Sequence, residues 1–119
     1  MRRTLATAAM LALTLAGTVA CGEDEDPGTS SQDPKVIEIT FEGDTVSPAG
    51  DRISVDVGQP IDLVVKADSA GEIHVHSDPD QELTYGEGTT TLSLTIDEPG
   101  VVDVESHDLE QIIVQLEVE

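Results

Sequence analysis

From Lys35 onward, apolar and polar residues alternate in short runs, and that alternation most limits what the chain can fold into. Ile37, Ile39 and Phe41 fall on one face of the run Val36–Phe41, and Ile53, Val55 and Val57 on one face of Arg52–Val57. Ile61, Leu63 and Val65 follow in Ile61–Ala67, then Leu92, Leu94 and Ile96 in Thr90–Ile96. The last run predicts Ile112, Val114, Leu116 and Val118 on one side. A period of two is that of a strand with one buried face. Glu72–His76, Glu82–Tyr85 and Val101–Ser106 complete the set. Between the runs stand turn-forming clusters such as Gly43-Asp44, Ser47-Pro48-Ala49-Gly50-Asp51, Gly58-Gln59-Pro60 and Asp97-Glu98-Pro99-Gly100. Helical periodicity is missing throughout this region. About eight short strands at near-regular spacing predict an all-β sandwich or barrel whose sheets each keep one wet face. The aromatics are Phe41 and Tyr85, without tryptophan, so Val, Ile and Leu must fill the core.

Charge narrows the range of partners. The chain carries 25 Asp plus Glu against 5 Lys plus Arg, a net charge of −20. Every acid follows Gly22, so loss of Arg2 and Arg3 with a leader would take −20 to −22. Such a surface repels the phosphates of nucleic acid and an anionic membrane face, and it draws cations without selecting among them.

The N-terminal segment reads as an address. Met1-Arg2-Arg3 precedes an apolar run from Leu5 to Val19 that is short for a membrane span, and acidic residues follow at once. This pattern predicts a signal peptide over residues 1–20. Leu15-Ala16-Gly17-Thr18-Val19-Ala20-Cys21-Gly22 resembles the lipobox of bacterial lipoproteins, with Thr18 where a larger aliphatic residue is usual. The resemblance implies lipid on Cys21, the sole cysteine, and anchoring to the outer face of the bacterial cell membrane. Residues 21–34, with the run Glu23-Asp24-Glu25-Asp26, contain little that could pack and predict an acidic, flexible linker. Residues 35–119 are then one small domain, with a single cysteine outside it and no disulfide.

All three histidines lie in two segments, Gly71–Ser77 and Gly100–His107. His74 and His76 share one strand face, and Glu105 and His107 share another. If the two strands meet, three imidazoles and a carboxylate converge. Imidazole and carboxylate suit Cu²⁺ or Zn²⁺, so His74, His76, Glu105 and His107 are the candidate metal ligands.

Several stretches together resemble the cupredoxins. They are Val55-Asp56-Val57-Gly58-Gln59-Pro60-Ile61-Asp62-Leu63, the strand Glu72–His76, the strand–Pro-Gly–strand run Leu92–His107 and the final Ile112–Val118. The resemblance covers roughly Val36 to Val118 and implies a Greek-key β-sandwich with a metal-bearing end. A blue-copper centre would further need a cysteine thiolate and usually an axial methionine. Ser106 stands about where the family's cysteine would be, and Met1 and Met10 both lie in the leader. The resemblance is therefore to cysteine-free cupredoxin-like domains of exported lipoproteins, without blue-copper electron transfer.

Catalysis finds no footing. Ser106 and His107 are adjacent, which puts them on opposite faces of a strand, and no Gly-x-Ser-x-Gly elbow or phosphate-cradling glycine loop is present. The expectation is a non-enzymatic, lipid-anchored domain that binds copper or zinc. The alternative is a metal-free sandwich used for protein contacts at the cell surface.

Overall fold

The computed structural model describes residues 32–119. The signal peptide expected over residues 1–20, Cys21 and the linker as far as residue 31 lie outside them. Nine strands are formed: β1 (Lys35–Glu42), β2 (Thr45–Ser47), β3 (Asp51–Val55), β4 (Ile61–Ala67), β5 (Gly71–Val75), β6 (Gln81–Tyr85), β7 (Gly88–Leu94), β8 (Gly100–Ser106) and β9 (Gln111–Val118). They make two sheets, one ordered β2-β1-β4-β7 and the other β3-β9-β8-β5-β6. β1 with β4 and β3 with β9 run parallel, and every other pairing is antiparallel.

The alternation explains the packing. Ile39, Ile61, Leu63 and Val65 of the first sheet are fully buried, as are Ile73, Val75, Val104, Val114 and Leu116 of the second. Each such side chain contributes about 1.5–3 kcal/mol by leaving water. The opposite faces of β1 and β4 carry Glu38, Glu42, Asp62 and Lys66, which remain at least partly in solvent. The described residues thus form the expected all-β sandwich, with nine strands rather than about eight.

Three local departures have physical causes. β2 lies within a stretch whose Gly43-Asp44 and Ser47-Pro48 read as turns. Gly43 takes a φ of 56° and folds Thr45–Ser47 back onto β1, with Glu42 opposite Thr45. β3 ends at Val55, and Val57, expected inside, is 40% exposed. The chain turns there, with Asp56 N–H donating to Gln59 Oε1 at 2.9 Å and Gln59 N–H to the Asp56 carbonyl at 3.0 Å.

The third departure is in β9, where Ile112 was expected inside. Val104 pairs with Val114, but the next residue, Glu105, pairs with Ile112. Ile113 is left over as a bulge, which reverses the alternation on its N-terminal side. Ile113 is therefore fully buried beside Val114, while Ile112 turns outward at 36% exposure. The Ile113 carbonyl accepts the Gly50 N–H at 2.9 Å, tying the bulge to the loop before β3.

Where β1 and β6 end, Phe41 and Tyr85 stack with ring centroids 4.9 Å apart and planes 14° from parallel. Burial pushes the Tyr85 phenol above its usual pKa of 10.0, and the negative charges of Asp108 and Asp68 push it further. The folded state thus holds the neutral phenol. Its contribution to stability is complete below the ordinary value of 10.0 and is lost as pH rises through the higher folded value. Alkaline titration of unfolding should show stability falling above that point, and Tyr85→Phe should flatten the fall. An alkaline limb identical in both proteins would assign the loss to other groups.

Candidate metal centre

β5 sends Ile73 and Val75 into the core, so His74 and His76 stand on the outer face of the second sheet. Their rings lie together, centroids 4.2 Å apart and tilted by 38°. The neighbouring strands supply carboxylates. Register sets His74 opposite Glu82 on β6 and opposite Glu105 on β8. His76 Nε2 is 2.8 Å from Glu105 Oε2, and His74 Nε2 is 3.4 Å from Asp80 Oδ2. The His76 N–H donates to the Asp103 carbonyl at 2.9 Å, which carries the β5–β8 pairing one residue beyond Val75.

One ligand atom from each of His74, His76 and Asp80 can be chosen so that all three lie within 4.8 Å of one another. Bonds of about 2.0–2.2 Å to a bound ion need donors no more than about 4 Å apart. Closing the difference takes side-chain rotations, which exposed groups make readily. His74 is the most sheltered of the three, while His76 and Asp80 are open to solvent. The arrangement offers two imidazole nitrogens and one carboxylate oxygen, a set for Cu²⁺ or Zn²⁺.

The four residues expected to converge are thus divided. His74 and His76 come together, and Glu105 reaches them through its bond to His76. His107 is not in the group. β8 ends at Ser106, and the His107 N–H donates to the Glu72 carbonyl at 3.0 Å. Glu72 lies two residues before His74 and four before His76, about 7 and 13 Å at the rise of a strand, and the ligand atoms that come within 4.8 Å of one another are those of His74, His76 and Asp80. Asp80, in the turn between β5 and β6, stands in the group instead. Val75 pairs with Gln81, so the residue before Gln81 meets the residue after Val75. Counting back from a β5–β6 hairpin would have found it. The turn is held tight by Ser77, whose hydroxyl donates to the Pro79 carbonyl at 2.8 Å and accepts from Gln81 Nε2 at 3.1 Å.

Ser106 occupies a different place. It is fully buried on the inner face opposite Ile73, and its Oγ accepts the Leu109 N–H at 3.3 Å. The position where the resemblance would put a thiolate therefore faces away from His74 and His76. Even a cysteine at 106 would not share an ion with them. With no cysteine or methionine among the described residues, a blue-copper centre does not fit.

Among solved structures, a copper(I) form of an amicyanin variant superposes with a TM-score of 0.54 at 15% identity, covering 75% of this chain and 85% of that one. The fold is cupredoxin-like. An oxidised amicyanin variant gives 0.53 at 16% identity, covering 72% and 82%. No family model and no curated protein matches the chain. At such identities the likeness concerns the cupredoxin-like sandwich alone. The histidine pair sits on that sandwich's outer sheet face, with carboxylates on both flanking strands.

Proposed function

We propose that this chain is a metal-binding module of the cell envelope, held by lipid on Cys21, which takes Cu²⁺ or Zn²⁺ on His74, His76 and Asp80 and transfers no electrons. The observation that carries the reading is the meeting of these three side chains within 4.8 Å on one sheet face. Nitrogen and carboxylate donors without a soft thiolate favour Cu²⁺ and Zn²⁺ over Cu⁺. Glu105, bonded to His76, supports the pair from the next strand. The copper in the structurally similar amicyanin variants lends the reading a precedent on the same scaffold, though not on the same ligands. The leader pattern and the position of Cys21 support export and anchoring. Storage, delivery or scavenging of the ion are all roles such a module could fill without catalysis.

Calorimetric titration of Cu²⁺ and Zn²⁺ into the protein should give one ion per chain. The variant carrying both His74→Ala and His76→Ala should bind at least about tenfold more weakly, since it loses two of the three donor groups. His107→Ala should bind as the parent does. Equal, weak binding by the parent and the double variant would mean that only the acidic surface attracts ions, and the metal reading would fall. Anchoring is checked separately: Cys21→Ser should move the protein from the membrane fraction to the soluble one.

A further inference from the structure

On its outer face β8 carries two carboxylates, Asp103 and Glu105, and His76 is bonded to the second. Val75 pairs with Val104, and the His76 N–H donates to the Asp103 carbonyl. Asp103 is therefore directly across from His76, and Glu105 lies diagonally to it. The Asp103 side chain is already engaged, its Oδ1 accepting from Gln115 Nε2 of β9 at 2.9 Å. Glu105 is one methylene longer, and diagonal neighbours on a sheet face come within reach of long side chains. Its Oε2 lies 2.8 Å from His76 Nε2, with the Glu105 and His76 side chains partly sheltered at 32% and 40% exposure. The bulge of β9 falls at the same step, since the register of β8 with β9 shifts between Val104 and Glu105. Bulges twist a sheet locally and re-aim side chains. The irregularity thus sits at the residue that reaches the histidine.

This contact decides which nitrogen of His76 is free. An ionised carboxylate only accepts, so the hydrogen lies on Nε2, and in the neutral ring the lone pair is then on Nδ1. His74 stands differently: its Nε2 is 3.4 Å from Asp80 Oδ2, beyond the usual range of an N–H···O bond. Two tetrahedral ligands at about 2.0–2.2 Å from one ion are themselves about 3.3–3.6 Å apart. His74 Nε2 and Asp80 Oδ2 therefore already have the spacing of two donors to one ion. Histidines that hold a metal commonly give their other ring N–H to a carboxylate, which fixes the tautomer and the orientation of the ring. Given the metal centre proposed above, on which this rests, we propose that Glu105 is its positioning residue and not a ligand. Glu105 holds the Nε2–H of His76, so that Nδ1 of His76 joins His74 Nε2 and Asp80 Oδ2 on the ion.

Nitrogen NMR of the isotopically labelled protein reads this directly, because two-bond proton–nitrogen correlations separate the tautomers of each imidazole. In the metal-free protein at mildly alkaline pH, His76 should show hydrogen on Nε2 and a lone pair on Nδ1. Zn²⁺ should shift Nδ1 of His76 and leave its Nε2–H in place, with His107 as the unshifted reference. Glu105→Ala should lose the tautomer preference and bind Zn²⁺ about 10- to 100-fold more weakly. Glu105→Gln keeps an accepting oxygen and should recover much of both. The parent spectra need neither variant, so a variant that fails to fold leaves the test standing. Hydrogen on Nδ1 of His76, Zn²⁺ bound through its Nε2, or Glu105→Ala binding as the parent does would each overturn the role of Glu105 while leaving the metal centre intact. A loss in Glu105→Gln as deep as in Glu105→Ala would make Glu105 a ligand and would overturn it too. Undiminished Zn²⁺ binding in the variant carrying both His74→Ala and His76→Ala would instead remove the centre itself, and this role with it.

Discussion

Ile113→Ala is expected to lower the free energy of unfolding by about 2–5 kcal/mol, whereas Ile112→Ala, one residue earlier, should stay within roughly 0.5 kcal/mol of the parent. The two side chains are chemically identical and differ only in which way the β9 bulge turns them. Ile113 is fully buried, and its truncation leaves a cavity between the sheets. Ile112 is 36% exposed, opposite Glu105 on the outer face. In a domain whose total stability is about 5–15 kcal/mol, the first loss could be half of it. Urea unfolding would show it as a lower midpoint at unchanged slope. Similar losses in the two variants, or the larger loss at Ile112, would mean that β9 runs in regular alternation and that the bulge is absent.

The second large effect is expected at Gly71. A Cβ built there would lie 2.5 Å from Asp108 Oδ2 and 2.6 Å from Tyr85 Cζ, with the Tyr85 hydroxyl nearest of all. The phenol cannot swing aside, because its ring is stacked on Phe41 and almost wholly buried. Gly71→Ala should therefore cost about 1–3 kcal/mol, the range for overpacking a filled site, and should perturb Tyr85 fluorescence. Gly86→Ala makes the control: nothing lies within 4 Å of a Cβ there, and a change within roughly 0.5 kcal/mol is expected. If Gly71→Ala melts with the control, the hollow is wider than the structure draws it.

Much of this fold is written in the chain at a period of two. Ile37, Ile39 and Phe41, and Ile61, Leu63 and Val65, could be assigned to the core directly, because each strand keeps strict alternation from end to end. Ile113 could not, since an inserted residue changes phase without changing composition, and the run Ile112-Ile113-Val114 supports either phase. β2 was hidden for another reason. Three residues flanked by Gly-Asp and Pro carry too little pattern to stand out from turn chemistry. The site divides in the same way. That His74 and His76 share a face follows from their spacing alone. That Asp80 joins them depends on the register of β5 with β6, which only pairing can fix. His107 was expected to keep the alternation of β8, but the chain leaves the strand at Ser106, where a buried hydroxyl holds the Leu109 N–H.

The two parallel pairings give this small sandwich a kinetic character. Neither β1 with β4 nor β3 with β9 can be joined by a hairpin, and Asp51 must find Val114 near the other end of the domain. The entropy of closing such long loops must be met before the strands reward it, which places folding in the slow, millisecond-to-second class of non-local β topologies. While β9 is away, β8 has one open edge and β3 has no neighbour in its sheet. In that interval the high negative charge acquires a use: nascent chains with unpaired strands repel one another, and collapse proceeds within each molecule rather than between molecules.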